Sequence, residues 1–93
     1  MNNNDVDKLG APFFTKERKR KMKVSKSQGV LYIFNLLLKN HYILKQDIMN
    51  DLEISELSFW RYIQELKAFI YNFNLPYEII YDRGEDKYSL IEQ

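Results

Sequence analysis

Catalytic chemistry has few places to start in this sequence. His41 is the one histidine and stands between apolar blocks, where a surface role is the ordinary expectation. No cysteine is present, which excludes disulfides, thiolate nucleophiles and thiolate metal sites. The acids are scattered rather than arrayed as metal ligands. Neither a glycine-rich phosphate loop nor a nucleophile motif occurs. What is clustered is positive charge. Lys16, Arg18, Lys19, Arg20, Lys21, Lys23 and Lys26 are interrupted by a single acid, Glu17, whereas residues 27–93 hold six basic residues and ten acids. The whole-chain charge of +1 hides this split. A cationic arm on a mildly acidic body points to a polyanionic partner; a merely solubilising leader is the alternative.

The elements that must position any site follow from periodicity. A chain of 93 residues, 45% apolar and 15% aromatic, supports one core without staples. Residues 1–24 lack a sustained apolar period and read as a disordered arm, broken by Gly10, Pro12 and the pair Phe13 and Phe14. A folded domain is expected over residues 25–93. Ser25 or Ser27 caps a first helix of about residues 27–39, with Leu31, Phe34, Leu37 and Leu38 inward and Val30, Ile33 and Leu36 broadening that face. Asn40 and His41 end it. A second helix is predicted over residues 45–52 with Ile48, Met49 and Leu52 inward, then a tight turn at Glu53 and Ile54.

Ser55 caps a third helix in which Phe59, Ile63, Leu66, Ile70 and Phe73 recur at steps of four, three, four and three, a buried stripe. Asn74, Leu75 and Pro76 stop it. YEIIY at residues 77–81 and KYSLI at residues 87–91 read as two strands of a hairpin, turning through DRGED, with Gly84 at a position for positive φ. The expected fold class is α+β: three helices followed by a two-stranded β-hairpin. No apolar run approaches the roughly 18 residues of a bilayer span. No signal-peptide pattern opens the chain, so the expected location is the cytoplasm, with no membrane partner and no cofactor or metal.

This order is that of a winged helix-turn-helix, and particular residues sharpen the match. KQDIMNDLEISELSFWRYIQEL at residues 45–66 resembles the helix-turn-helix of DeoR-like and WYL-domain bacterial transcription regulators. Ile48 and Met49 stand at the family's leucine-alanine pair, Ile54 and Ser55 at its Val-Ser turn, and Ser58 to Ile63 at its Thr-aromatic-Arg-Asp-Ile helix. NLPYEIIYDRGEDKYSL at residues 74–90 is similar to the family's Leu-Pro-Ile hairpin and glycine-containing wing tip. Glu53 stands where the turn often has glycine, Leu44 where helix two usually has a Ser or Thr cap, Leu57 where a basic residue is common, and Tyr62 where aspartate is usual. The last two departures fall on or near the surface that would face DNA.

The resemblance implies sequence-specific double-stranded DNA binding. Such a chain is either the reading domain of a larger regulator or a compact regulator of a mobile element. At about 100° per residue, the buried stripe of the third helix turns Leu57, Arg61, Gln64 and Ala68 outward, with Glu56, Ser58, Trp60 and Glu65 on the flanks. In helix-turn-helix docking the first turns of this helix meet base edges. Arg61 suits guanine and Gln64 adenine, while Ser55 and Ser58 suit phosphate oxygens. Each has a plainer reading. Ser55 is a helix cap, Trp60 a shoulder of the core, and Arg61 the partner of Glu65 one turn on.

Residues 41–70 hold three basic residues and five acids, so nonspecific phosphate affinity falls to the arm. Arg83 at the wing tip and Lys87 beside it are further backbone candidates. The rival function is a winged helix used for protein contact or homodimerisation through Leu57, Trp60, Tyr62 and Tyr71. An RNA-binding role ranks behind both. The arm is directly testable. Deleting residues 1–24 is expected to weaken duplex binding by orders of magnitude and flatten its salt dependence in a fluorescence titration; unchanged affinity removes the arm from the mechanism.

Overall fold

The computed structural model describes residues 24–93; Lys16, Arg18, Lys19, Arg20, Lys21 and Lys23, with the Phe13 and Phe14 pair, lie outside the described residues. The first helix, α1 (Lys26–Asn40), is capped by Ser25, whose Oγ accepts from the backbone N–H of Gln28 at 3.2 Å. Lys26, assigned above to the arm, is therefore the first residue of this helix. His41 ends it in the left-handed conformation, φ 74°, its N–H returning to the carbonyl of Leu37.

The inward face of α1 differs from the expected one. Gly29, Ile33 and Leu37 are buried, whereas Leu31 is 65% and Leu38 43% exposed. Eight of the nine residues from Val30 to Leu38 are apolar, so period alone does not choose a side. Gly29 chooses it. The third helix, α3 (Glu56–Asn72), lays the Tyr62 ring against this glycine, and a β-carbon there would sit 2.9 Å from Cδ2 and closer still to Cε2.

Between these helices the chain forms β1 (Tyr42–Leu44) and α2 (Lys45–Leu52). The strand was not expected, because three residues are too few to show alternation. Ile43 is buried in it and faces Tyr88 across an antiparallel ladder. The hairpin strands are β2 (Tyr77–Asp82) and β3 (Lys87–Glu92), paired from Tyr77 with Glu92 to Asp82 with Lys87. The sheet is thus three-stranded, in the order β1-β3-β2, rather than a free two-stranded hairpin. At the tip, Gly84 does not take the expected positive φ; Asp86 does, at 52°. The Asp82 carboxylate accepts from the Gly84 N–H at 3.0 Å and shapes the turn in its place.

The short turn from α2 to α3 is made by Glu53 at φ 55° and ψ 50°, followed by a bond from the Ile54 N–H to the Met49 carbonyl at 3.1 Å. Ile33, Leu37, Ile48, Phe59, Ile63 and Leu66 are fully buried at the centre, with Ile43, Ile70, Ile79 and Leu90 closing the sheet side. Phe73, expected in the α3 stripe, is instead 66% exposed, since the helix has already ended at Asn72.

Gly29→Ala is expected to destabilise the fold. Overpacking of about 1–3 kcal/mol is set against the ~1 kcal/mol by which alanine is the better helix former, and the close ring contact favours the upper part of the range, a net loss of up to about 2 kcal/mol in denaturant unfolding. In a Tyr62→Leu background the same substitution is expected to be neutral or stabilising.

Candidate nucleic-acid interface

The start of α3 is built around its cap. Ser55 Oγ accepts from the Ser58 N–H at 3.1 Å and donates to Ser58 Oγ at 3.2 Å. Both hydroxyls therefore serve the helix first. From there Leu57, Trp60 and Arg61 point outward, with Leu57 57% and Trp60 54% exposed, Arg61 exposed and Gln64 half-buried. Phe59, Tyr62, Ile63 and Leu66 hold the opposite face in the core. Tyr62 corrects the sequence reading. It is buried against α1, and belongs neither to a DNA-facing side nor to an apolar patch with Leu57, Trp60 and Tyr71.

Arg61 makes no ion pair with a described residue; Glu65, its one-turn neighbour, is met instead by Lys26 of α1 at 3.4 Å. That pair is more than half exposed on both sides and contributes little stability. It does leave the guanidinium available to solvent.

Glu56 is occupied differently. Its carboxylate lies 2.7 Å from Lys45 Nζ, and the same ammonium is 3.4 Å from Asp86 at the end of the hairpin turn. The Lys45 backbone N–H also donates to the Asp86 carbonyl at 3.2 Å. On its other side the Asp86 carboxylate accepts from the Tyr81 hydroxyl at 2.7 Å. The Tyr81 ring meets Tyr88 at 4.7 Å with a 39° tilt, and Tyr88 meets Phe59 of α3 edge-on at 5.3 Å. Hairpin and α3 are thereby joined twice, once through ions and once through rings.

The titrations of these groups follow from the contacts. The hydrogen bond to Glu56 raises Lys45 above its ordinary value against the opposing effect of burial, and Asp86 adds to the rise. The Tyr81 hydroxyl and then the Lys45 ammonium lower Asp86, again against desolvation. Tyr81 itself is raised, chiefly by its bond to Asp86.

Lys45 escaped the sequence reading. The one available signal was that it is the only basic residue between His41 and Arg61 in an acid-rich stretch. The other wing candidates divide. Arg83 is exposed at the tip, whereas Lys87 is paired with Glu85 at 3.2 Å and sits 5.2 Å above the Tyr42 ring. His41 lies on the surface at the end of α1. Among the described residues no group of three or more His, Asp or Glu is placed to hold a metal ion, and no helix is long and apolar enough to cross a membrane.

No protein-family pattern and no curated protein matches the sequence. A solved structure does match the coordinates: a DNA-binding winged-helix protein from Sulfolobus Spindle-shaped Virus 1, with a TM-score of 0.55 and 20% identity over 74% of this chain and 99% of that one. The fold is a winged helix. In that frame β2, β3 and their turn are the wing, α3 is the third helix of the helix-turn-helix, and β1 ties the wing's inner strand back to the start of α2.

The wing contacts carry a pH signature. A carboxylate held below its unfolded value stabilises the fold above about pH 4, and this contribution is lost as pH falls through the folded value. The difference in unfolding free energy between wild type and Asp86→Asn is expected to be flat between about pH 7 and pH 5 and to shrink below about pH 4. A difference that persists at the acid end contradicts the assignment of Asp86 as the titrating group.

Proposed function

We propose that this chain binds double-stranded DNA sequence-specifically, as all or part of a transcriptional regulator resembling the DeoR-like and WYL-domain type, and that it is not an enzyme. The observation that carries the reading is the outward face of α3. Its amino-terminal half presents Leu57, Trp60, Arg61 and half-buried Gln64 on a helix whose other side is locked into the core, and Arg61 has no ionic partner among the described residues. The winged-helix neighbour described as DNA-binding supports the same use of the fold.

In the proposed mechanism α3 enters the major groove, Arg61 and Gln64 read base edges, and the α3 amino terminus around Ser55 and Ser58 approaches a phosphate. Arg83 reaches the backbone from the wing. The body itself is poor in positive charge: residues 24–93 hold seven basic residues and ten acids. Counterion release therefore rests mainly on the basic run that precedes it.

A protein-contact role has separate support, on a different face from the one the sequence pointed to. Exposed Leu31 and Leu38 flank Phe34 on α1, the Phe34 ring meets Phe69 at 6.1 Å, and Phe69 meets exposed Phe73 at 5.1 Å. Such a band fits a second subunit or another protein, and it leaves the α3 amino-terminal face free.

Titration of the full chain with mixed-sequence duplex at low and moderate salt, with NMR shifts followed by residue, separates the two. Shifts at residues 55–64 support DNA reading. No response to duplex, with concentration-dependent self-association, supports protein contact instead. On a selected site Arg61→Ala is expected to cost about 1–3 kcal/mol, with a smaller loss on random DNA. An equal loss on both makes Arg61 a backbone contact.

A further inference from the structure

We infer that Lys45 is a positioning residue: its ammonium, clasped between the Glu56 and Asp86 carboxylates, fixes the wing against the start of α3. The functional consequence rests on the DNA-binding reading above, while the clasp is a property of the free protein. Three features of the geometry set Lys45 apart from an ordinary surface lysine.

The first is confinement. Its side chain is 18% exposed, against 57% for Lys26 in the pair with Glu65, so a long and normally mobile stem is held in one place. The second is that its two partners come from different elements, one from the first residue of α3 and one from the last residue of the wing turn. The third is that both main chain and side chain take part. The Lys45 N–H holds the Asp86 carbonyl while the ammonium holds the Asp86 carboxylate, which the Tyr81 hydroxyl braces from the other side.

Two carboxylates within 3.4 Å of one nitrogen repel each other once the cation is gone. The nearest other lysine in sequence to Asp86, Lys87, is engaged elsewhere, 3.2 Å from Glu85 and 5.2 Å above the Tyr42 ring. Losing the ammonium therefore does more than remove an attraction; it pushes the wing turn away from α3. In a winged helix the wing and the third helix must meet one duplex together, so the angle between them sets whether both contacts form at once. Lys45 acts through that angle and does not itself touch the nucleic acid.

The test uses the full chain and Lys45→Met, which keeps an apolar stem of similar length. In the free protein, amide hydrogen exchange at residues 83–88 is expected to rise several-fold while the core amides of α1 and α3 keep their wild-type rates. Duplex affinity is expected to fall about tenfold, the scale on which supports outside a binding site act, with the salt slope unchanged. Adding Glu56→Gln to Lys45→Met removes the repulsion and is expected to slow wing exchange again, by more than Glu56→Gln alone changes it.

Wild-type exchange at the wing in Lys45→Met overturns the inference. So does loosening that spreads to α1 and α3. A salt slope reduced by about one makes Lys45 a phosphate contact and also overturns it. Should the wild-type chain ignore duplex altogether, the DNA reading fails while the exchange measurements still decide the clasp.

Discussion

The Tyr62 ring lies on a helix position that has no β-carbon, and this close approach of α1 and α3 orients everything around it. An aromatic side chain needs a slot, and Gly29 is the slot. With Tyr62 buried there, α3 is rotated so that Phe59, Ile63 and Leu66 face the core and Leu57, Trp60 and Arg61 face away. The same contact turns Ile33 and Leu37 of α1 inward and leaves Leu31 and Leu38 at the surface. One packing decision thus fixes both the outward face of α3 proposed for DNA and the apolar band on α1.

Much of this was legible in the residues. Ser25 and Ser55 announced two helix starts, and the four-three spacing from Phe59 to Ile70 announced the buried side of α3. The α2 boundaries and both hairpin strands were likewise readable, because their patterns run for whole elements. What failed was short, degenerate or relational. A three-residue strand has no period. A helix apolar around most of its circumference has no readable inner face until a partner touches it. Tyr62 read as a surface departure because the complement to it, Gly29, lies 33 positions earlier and is silent in any local window. Lys45 was invisible for the same reason: its two partners are 11 and 41 residues away.

Charge placement explains how an acidic body stays compatible with a polyanion. Acids near the candidate surface are partly engaged within the fold. Glu56 and Asp86 share Lys45, and Glu65 meets Lys26. Arg61 is left unclaimed among the described residues by this arrangement, so the local field at the outward side of α3 is less hostile to phosphate than the residue count implies. The Lys26 pair is exposed on both sides, whereas in the Lys45 cluster the ammonium is enclosed and its carboxylate partners are exposed, so salt screens both and the Lys26 pair more fully.

Four corners of the fold are turned by residues other than glycine in the left-handed backbone region: His41, Glu53, Asn74 and Asp86. Each such residue with a side chain is strained by roughly 1 kcal/mol, less for asparagine and aspartate. The same side chains restrict the unfolded chain more than glycine would. The two effects oppose each other, so these bends are held at little net cost relative to glycine, and their side chains stay in place at the corners of the fold.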